Sequence, residues 1–351
     1  MEEQFPIQQV MDDQGNITDE KTLQQIDEEL VKKAYYHMKR IRLFDRKAIS
    51  LQRQGRIGTY PPFEGQEASQ VGSVLALGTD DWVFPTYRDH GATLTFGADM
   101  VRTFLYWNGR AEGCVPPEGK NIFPAAVPIA TQIPHAVGTA WAEKRKGTQN
   151  VTLCYFGDGA TSEGDFHEGL NFASVFQTPT IFFNQNNRYA ISVPVEKQMH
   201  SKTIAQKGLA YDLPSVRIDG NDIFSVYFET KKAVERARNG GGPTLIEAVT
   251  WRTGAHTTAD DPTKYRPKEQ GKDVVNPLDR LEHFMKNYSY WYDAWIDQIE
   301  HELTEEVEAA VEAMEHFPQP DPSDLFDHVF ANPPEQLSEQ KQSYLELLGR
   351  G

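Results

Sequence analysis

A glycine-flanked carboxylate, Gly157-Asp158-Gly159, closes the apolar run Val151–Phe156 (VTLCYF). Glycine on either side lets a backbone come close to a phosphate, and the single carboxylate is a hard oxygen ligand of the kind Mg²⁺ takes. A second apolar run, Thr180–Phe183 (TIFF), leads into Asn186-Asn187-Arg188-Tyr189. If both runs are neighbouring parallel strands, their carboxyl ends meet, and that is where α/β sheets gather ligands. Asp158, the amide of Asn187 and a nearby peptide carbonyl then make a set of oxygens for Mg²⁺, with diphosphate oxygens and water completing the shell. The same residues could also serve as plain turns; the two motifs together, at this spacing, favour the ligand.

The elements around them read as α/β. From Thr22 to Gln54 apolar residues recur at helical spacing (Leu30, Val31, Ala34, Tyr35, Met38, Ile41), giving one or two amphipathic helices. Residues 55–65 are a Gly/Pro-rich loop, and GQEASQVGSVLALG returns to helix. Asp81–Pro85 is a short strand candidate before TYRDHG. Helices over 134–146, 163–176 and 223–239 alternate with the two runs above and with TLIEAV at 244–249. Continuous apolar strands separated by helices predict a parallel sheet covered on both faces. The polar stretch 253–272 is long enough to be a functional loop, 277–316 reads as charged helix, and FPQPDPSD breaks the pattern. The expected organisation is an extended arm over 1–22, an α/β domain over 23–316, and a tail over 317–351. The alternating apolar residues of the tail (PSDLFDHVF) suit packing on a partner or on the chain itself.

Composition narrows the classes. Among 351 residues, 35 Lys plus Arg face 51 Asp plus Glu, a net charge of −16, which argues against a nucleic-acid binder. No run approaches a membrane span, and the acidic start MEEQFPIQQVMDDQGN has no secretory pattern. Cys114 and Cys154 make neither a disulfide framework nor a zinc motif. A reduced cytoplasm is the expected location. GxSxG, GxxxxGK[ST] and GxGxxG are all absent from the sequence.

GDG followed by NN after 26 intervening residues resembles the thiamine-diphosphate motif. Six stretches, two of them containing that motif, resemble in order the alpha subunits of the heterotetrameric 2-oxo acid dehydrogenases: LQRQGRIGTYPPFEGQEASQVG, FPTYRDHG, PEGKNIFPAAVPIATQIPHAVG, YFGDGATSEGDFHEGLNFASVF, NQNNRYAISVPVEKQ and GAHTTADDPTKYR. The resemblance implies a thiamine-diphosphate-binding fold that decarboxylates a 2-oxo acid and passes the acyl fragment to the lipoyl group of an acyltransferase. It also implies a beta subunit in an α₂β₂ assembly, which supplies a glutamate needed to activate the cofactor, so the chain alone is expected to be inactive.

Residue by residue, the resemblance makes Asp158 and Asn187 side-chain ligands of Mg²⁺ and Tyr189 a carbonyl ligand. Gly159 and Ala160 present N–H groups to the diphosphate, with Tyr87 and Arg88 beside it. Ile129 is the apolar wedge under the cofactor and Val127 a carbonyl partner of its aminopyrimidine. His256 is the active-site histidine and His90 a second candidate, although an exposed turn residue would read the same way. Tyr60 falls beside the substrate pocket, where plain aromatic packing is the competing reading.

In branched-chain relatives the ATQIP stretch also holds a monovalent cation. Thr131 and Gln132 match that feature and would take K⁺, whereas Ala126 stands where those relatives have a hydroxyl. PEGKNIFP and TYPPFEGQE lean toward pyruvate as the substrate; YRDHG and ATQIPHAVG lean toward branched-chain 2-oxo acids, and acetoin is a third choice. A catalytically dead scaffold and an Mg²⁺-nucleotide enzyme are the rivals from other classes.

Overall fold

In the computed structural model the chain is described over residues 4–125 and 127–349. Five parallel strands form one sheet in the order β1-β2-β3-β7-β6: β1 Trp82–Phe84, β2 Thr152–Gly157, β3 Thr180–Asn186, β6 Ser215–Asp219 and β7 Thr244–Val249. A two-stranded antiparallel hairpin, β4 Tyr189–Ala190 with β5 Val193–Pro194, follows β3 directly. The register sets Phe84 beside Cys154, Gly157 beside Gln185, and Asn186 beside Val249. The ends of β2, β3 and β7 are therefore level, and the loops leaving them open on one side.

Alternation along the strands feeds two cores. Leu153, Tyr155, Ile181, Phe183, Ile246 and Ala248 pack on one face with Ala92, Val226 and Val234 from helices. Cys154, Phe156, Phe182 and Leu245 pack on the other with Ile133, Val137, Phe166 and Leu170, from the helices Gln132–Lys146 and Gly164–Phe176. With both faces covered, β3 and β7 have no exposed position, which is why they read as unbroken apolar runs. Truncating a ring such as Phe182 to Ala would cost about 3–5 kcal/mol.

The sheet is the parallel α/β architecture expected, and two elements differ from the reading. The edge strand Ser215–Asp219 was not anticipated: its residues are mostly half-buried and its sequence, SVRID, is too polar for a buried run. The N-terminal arm covers that edge, with the Gln8 N–H donating to the Arg217 carbonyl and the Asp219 N–H to that of Gln8, both at 2.9 Å, so the open ladder is paired. The stretch 277–316 is two helices, Pro277–Asn287 and Asp293–Glu315. The first ends where Ser289 takes φ 62°, while Tyr288 and Tyr290 fold their rings onto Phe284.

The chain forms two compact units, Met1–Val311 and Glu312–Gly351. Within the second, Phe326 packs on Tyr344 at 5.8 Å and Lys341 pairs with Asp327, while Leu325, Val329 and Phe330 are exposed. No helix among the described residues is long and apolar enough to cross a membrane.

Candidate active site

A cavity of about 260 Å³ lies at the carboxyl ends of the strands. Its wall is built from Thr86–Asp89 after β1, Gly157–Ala160 at the end of β2, Gln185 and Asn187 at the end of β3, and Arg252 and His256 beyond β7. Gln66, Ile129, Ala130, the β4–β5 hairpin and Gln198 complete it. Three non-glycine residues at its edge have positive φ: Ala130 at 68°, Arg188 at 71° and Ile191 at 57°. Such positions cost roughly 1–3 kcal/mol each and survive only where the surroundings impose them. The backbone at Gly159 passes close to the hairpin, since a Cβ there would come 3.0 Å from that of Ala190.

Asp158 is 1% exposed and its Oδ2 has no hydrogen-bond partner. Burial raises its carboxyl to about 6, against the pull of Arg252 and Arg88. A buried acceptor without a donor is costly, and in the wall of a cavity it leaves room for a bound group to meet it. Asn187 and Tyr189 line the same cavity, and their oxygens are weakly engaged: Asn187 Oδ1 accepts the Tyr189 N–H at 3.3 Å, and the Tyr189 carbonyl accepts from Arg252 at 3.5 Å. One carboxylate, one amide oxygen and one peptide carbonyl fit a hard divalent cation. No group of three or more His, Cys, Asp or Glu suited to a metal occurs among the described residues, so further ligands would have to come from a bound diphosphate or water. Gly159 and Ala160 line the cavity, where their backbone would allow a diphosphate to come close.

His256 stands between two guanidinium groups. Its Nδ1 is 3.0 Å from Arg88 Nη2 and 3.4 Å from Arg252 Nη1. Guanidinium groups only donate, so Nδ1 accepts and the ring proton sits on Nε2. Burial and the charges of Arg88 and Arg252 hold His256 down to about 4, neutral at pH 7. Its peptide N–H is held by Asp260 Oδ2 at 2.8 Å. Arg88 also donates to the carbonyls of Pro62 at 2.6 Å and His256 at 2.9 Å. Burial lowers Arg252 to about 10, and its Nε is buried without a partner.

The cavity thus gathers Tyr87, Arg88, Ile129, Asp158, Gly159, Ala160, Asn187, Tyr189 and His256. Val127 is 60% exposed and does not line it. Tyr60 and His90 do not line it either. The Tyr60 hydroxyl donates to Asp45 at 2.7 Å, and its ring meets Trp107 edge-on at 5.6 Å. Trp107 Nε1 donates to His90 Nε2 at 2.6 Å, and His90 faces a separate cavity of about 60 Å³. Gln132 donates to the Tyr155 carbonyl at 2.6 Å while its Oε1 stays buried without a partner; Ala126 lies outside the described residues. The reading missed Gln66, Asp89, Gln185, Gln198 and Arg252, whose polar side chains carry no periodic signal and become site residues only when the strand ends align.

The profile of the family described as Dehydrogenase E1 component matches residues 35–323. The chain belongs to the Dehydrogenase E1 component family. It is similar to the Pyruvate dehydrogenase E1 component subunit alpha of Bacillus cereus, 39% identical over 346 residues, covering 98% of this chain and 93% of that one. The protein of the same name from Acholeplasma laidlawii is 39% identical over 341 residues, covering 96% and 99%. That of Staphylococcus aureus strain Mu50 is 37% identical over 345 residues, covering 97% and 93%. The E1 component match therefore spans the whole sheet and every residue of the cavity wall.

Proposed function

We propose that this chain is the alpha subunit of a thiamine-diphosphate- and Mg²⁺-dependent pyruvate dehydrogenase first component. A beta subunit completes its active site in an α₂β₂ assembly in the cytoplasm, and the two-carbon product passes to a lipoyl group on an acyltransferase. The observation that carries the reading is the unpartnered Asp158 oxygen in a cavity also lined by Asn187 and Tyr189. The names of relatives matched over nearly their full length support pyruvate as substrate.

Bound thiamine diphosphate supplies the electron sink for loss of CO₂ from a 2-oxo acid. The chain's own residues hold and enclose it. Asp158, the Asn187 amide oxygen and the Tyr189 carbonyl hold Mg²⁺, while the N–H groups of Gly159 and Ala160, with Tyr87 and Arg88, hold the diphosphate. Ile129 would give the rings an apolar wall; Val127, outside the cavity wall, has no part in holding the cofactor. His256, neutral and with its proton on Nε2, donates to negative charge that develops on the substrate oxygen. Tyr60 and His90 act from behind the wall by packing. The free Gln132 Oε1 supports a K⁺ held by Gln132 with Thr131.

The test is decarboxylation with an artificial electron acceptor, by the chain co-expressed with its beta subunit. Pyruvate and 3-methyl-2-oxobutanoate are compared at fixed thiamine diphosphate and Mg²⁺. The expected result is a kcat/KM ratio favouring pyruvate by at least about tenfold, the weight of one or two methyl-sized contacts. Preference for the branched substrate would move the assignment to that class, and failure to bind the cofactor would end it.

A further inference from the structure

Asp89, Gln185, Gln66 and Asn187 form one buried row, none more than 7% exposed. Gln185 Nε2 donates to Asp89 Oδ1 at 2.5 Å. Gln66 Nε2 donates to Gln185 Oε1 at 3.4 Å, and Asn187 Nδ2 donates to Gln66 Oε1 at 3.2 Å. A primary amide has one donating and one accepting end, so each link dictates the next. The direction is imposed at Asp89. Its Oδ2 already takes the N–H and hydroxyl of Thr86, each at 2.6 Å, and the Oδ1 of a carboxylate can only accept. Gln185 must turn its NH₂ to Asp89 and its oxygen to Gln66, and Gln66 repeats the choice. The nitrogen of Asn187 is then committed to Gln66, so the atom it can offer to the cavity is its oxygen.

We infer that Asp89, acting through Gln185 and Gln66, is a positioning residue that orients Asn187 as an oxygen donor to a divalent cation in the cavity. The inference rests on the reading that the cavity takes Mg²⁺ with a diphosphate. It makes a directional prediction that ordinary packing does not. In Asp89→Asn the Thr86 donors keep the new amide oxygen, so its NH₂ faces Gln185. Every amide in the row must then reverse, and Asn187 turns its NH₂ to the cavity without any change of volume. Gln185→Glu sets two carboxylates against each other but leaves the sense of the row beyond it, because the new carboxylate still accepts from Gln66. Combining them restores the original sense, because the NH₂ of the new Asn donates to the new Glu, whose other oxygen accepts from Gln66.

The experiment titrates Mn²⁺ into the complex of the full chain with its beta subunit, at saturating thiamine diphosphate, counting free Mn²⁺ by electron paramagnetic resonance. Asp89→Asn is expected to bind about 10- to 100-fold more weakly, the usual cost of losing an outer partner of a metal ligand, while Gln185→Glu alone, which keeps the orientation of Asn187, is expected to stay within about threefold of wild type. The double variant is expected to recover to within about threefold of wild type, a strong departure from additivity. An Asp89→Asn variant that binds as wild type does, or a double variant as weak as Asp89→Asn alone, would overturn the relay. The double variant decides the matter even where a single variant does not fold. A wild-type complex that binds no Mn²⁺ would instead overturn the cofactor reading, and the relay with it.

Discussion

Two buried carboxyls, Asp158 and Asp45, differ in what surrounds them. Asp158 and Asp45 are equally buried, and burial raises both, to about 6 and about 7. Asp45 is fully engaged: Oδ1 takes the Tyr60 hydroxyl and the Phe63 N–H, and Oδ2 takes the Glu64 N–H. Asp158 Oδ2 takes nothing. A shifted carboxyl therefore does not by itself mark a site here; Asp158 stands apart because its unmet oxygen belongs to a residue that lines the cavity. The Asp45 side, with Tyr60, His90 and Trp107, is scaffold. It seats the loop that carries His256, because Tyr60 exchanges two hydrogen bonds with Thr258, at 3.0 and 2.8 Å.

The strongest way to break this contrast is to delete each carboxyl. Asp158→Ala is expected to lower turnover by about a thousandfold, the several kcal/mol that a held cation supplies, and to leave the melting temperature of the cofactor-free protein unchanged or raised. Asp45→Ala is expected to do the reverse in kind. Stranding a buried hydroxyl and two N–H groups costs about 3–5 kcal/mol, seen in urea denaturation. Equal losses of stability in the two variants would erase the distinction.

The sheet was legible because burial on both faces writes itself as uninterrupted apolar runs, such as 180–183 and 244–249. The residues proposed to hold the cation stood out because Gly157-Asp158-Gly159 and Asn186-Asn187 end two of those runs. Edge strand Ser215–Asp219 was not, since one-sided burial leaves no such run. The relay of Gln66, Gln185 and Asp89 was also hidden, because amides distant in sequence gain meaning only from their hydrogen-bond direction. His90 drew attention through its distance of two residues from Arg88. Yet it starts the helix His90–Phe96, which turns it away from the cavity toward Trp107.

A finer contrast is available in pH. The folded carboxyl of Asp158 lies near 6 and that of the unfolded chain near 3.8. The associated stability is present below pH 3.8 and lost as pH rises through 6, because the unfolded chain gives up its proton first. Between pH 5 and 7.5, cofactor-free wild type should lose about 1.4 kcal/mol relative to Asp158→Asn. Cation binding has the opposite sense: it needs the carboxylate, so apparent affinity should fall as pH drops below 6. Parallel stability curves for the two proteins would mean that Asp158 is not protonated at neutral-to-acid pH in the folded state.

His90→Phe tests the scaffold side most gently. Burial and Arg88 hold His90 down to about 3, so it is neutral throughout the working range and serves as an acceptor for Trp107. The phenyl ring keeps the aromatic packing against Tyr60 and Tyr106 but strands the indole N–H, at a net cost of about 1 kcal/mol. The expected outcome is a melting temperature lower by a few degrees, with kcat within about twofold of wild type in the assembled enzyme. A drop in kcat of a hundredfold or so, with stability intact, would move His90 from the scaffold into the reaction and would show that a side chain outside the cavity wall can still carry chemistry here.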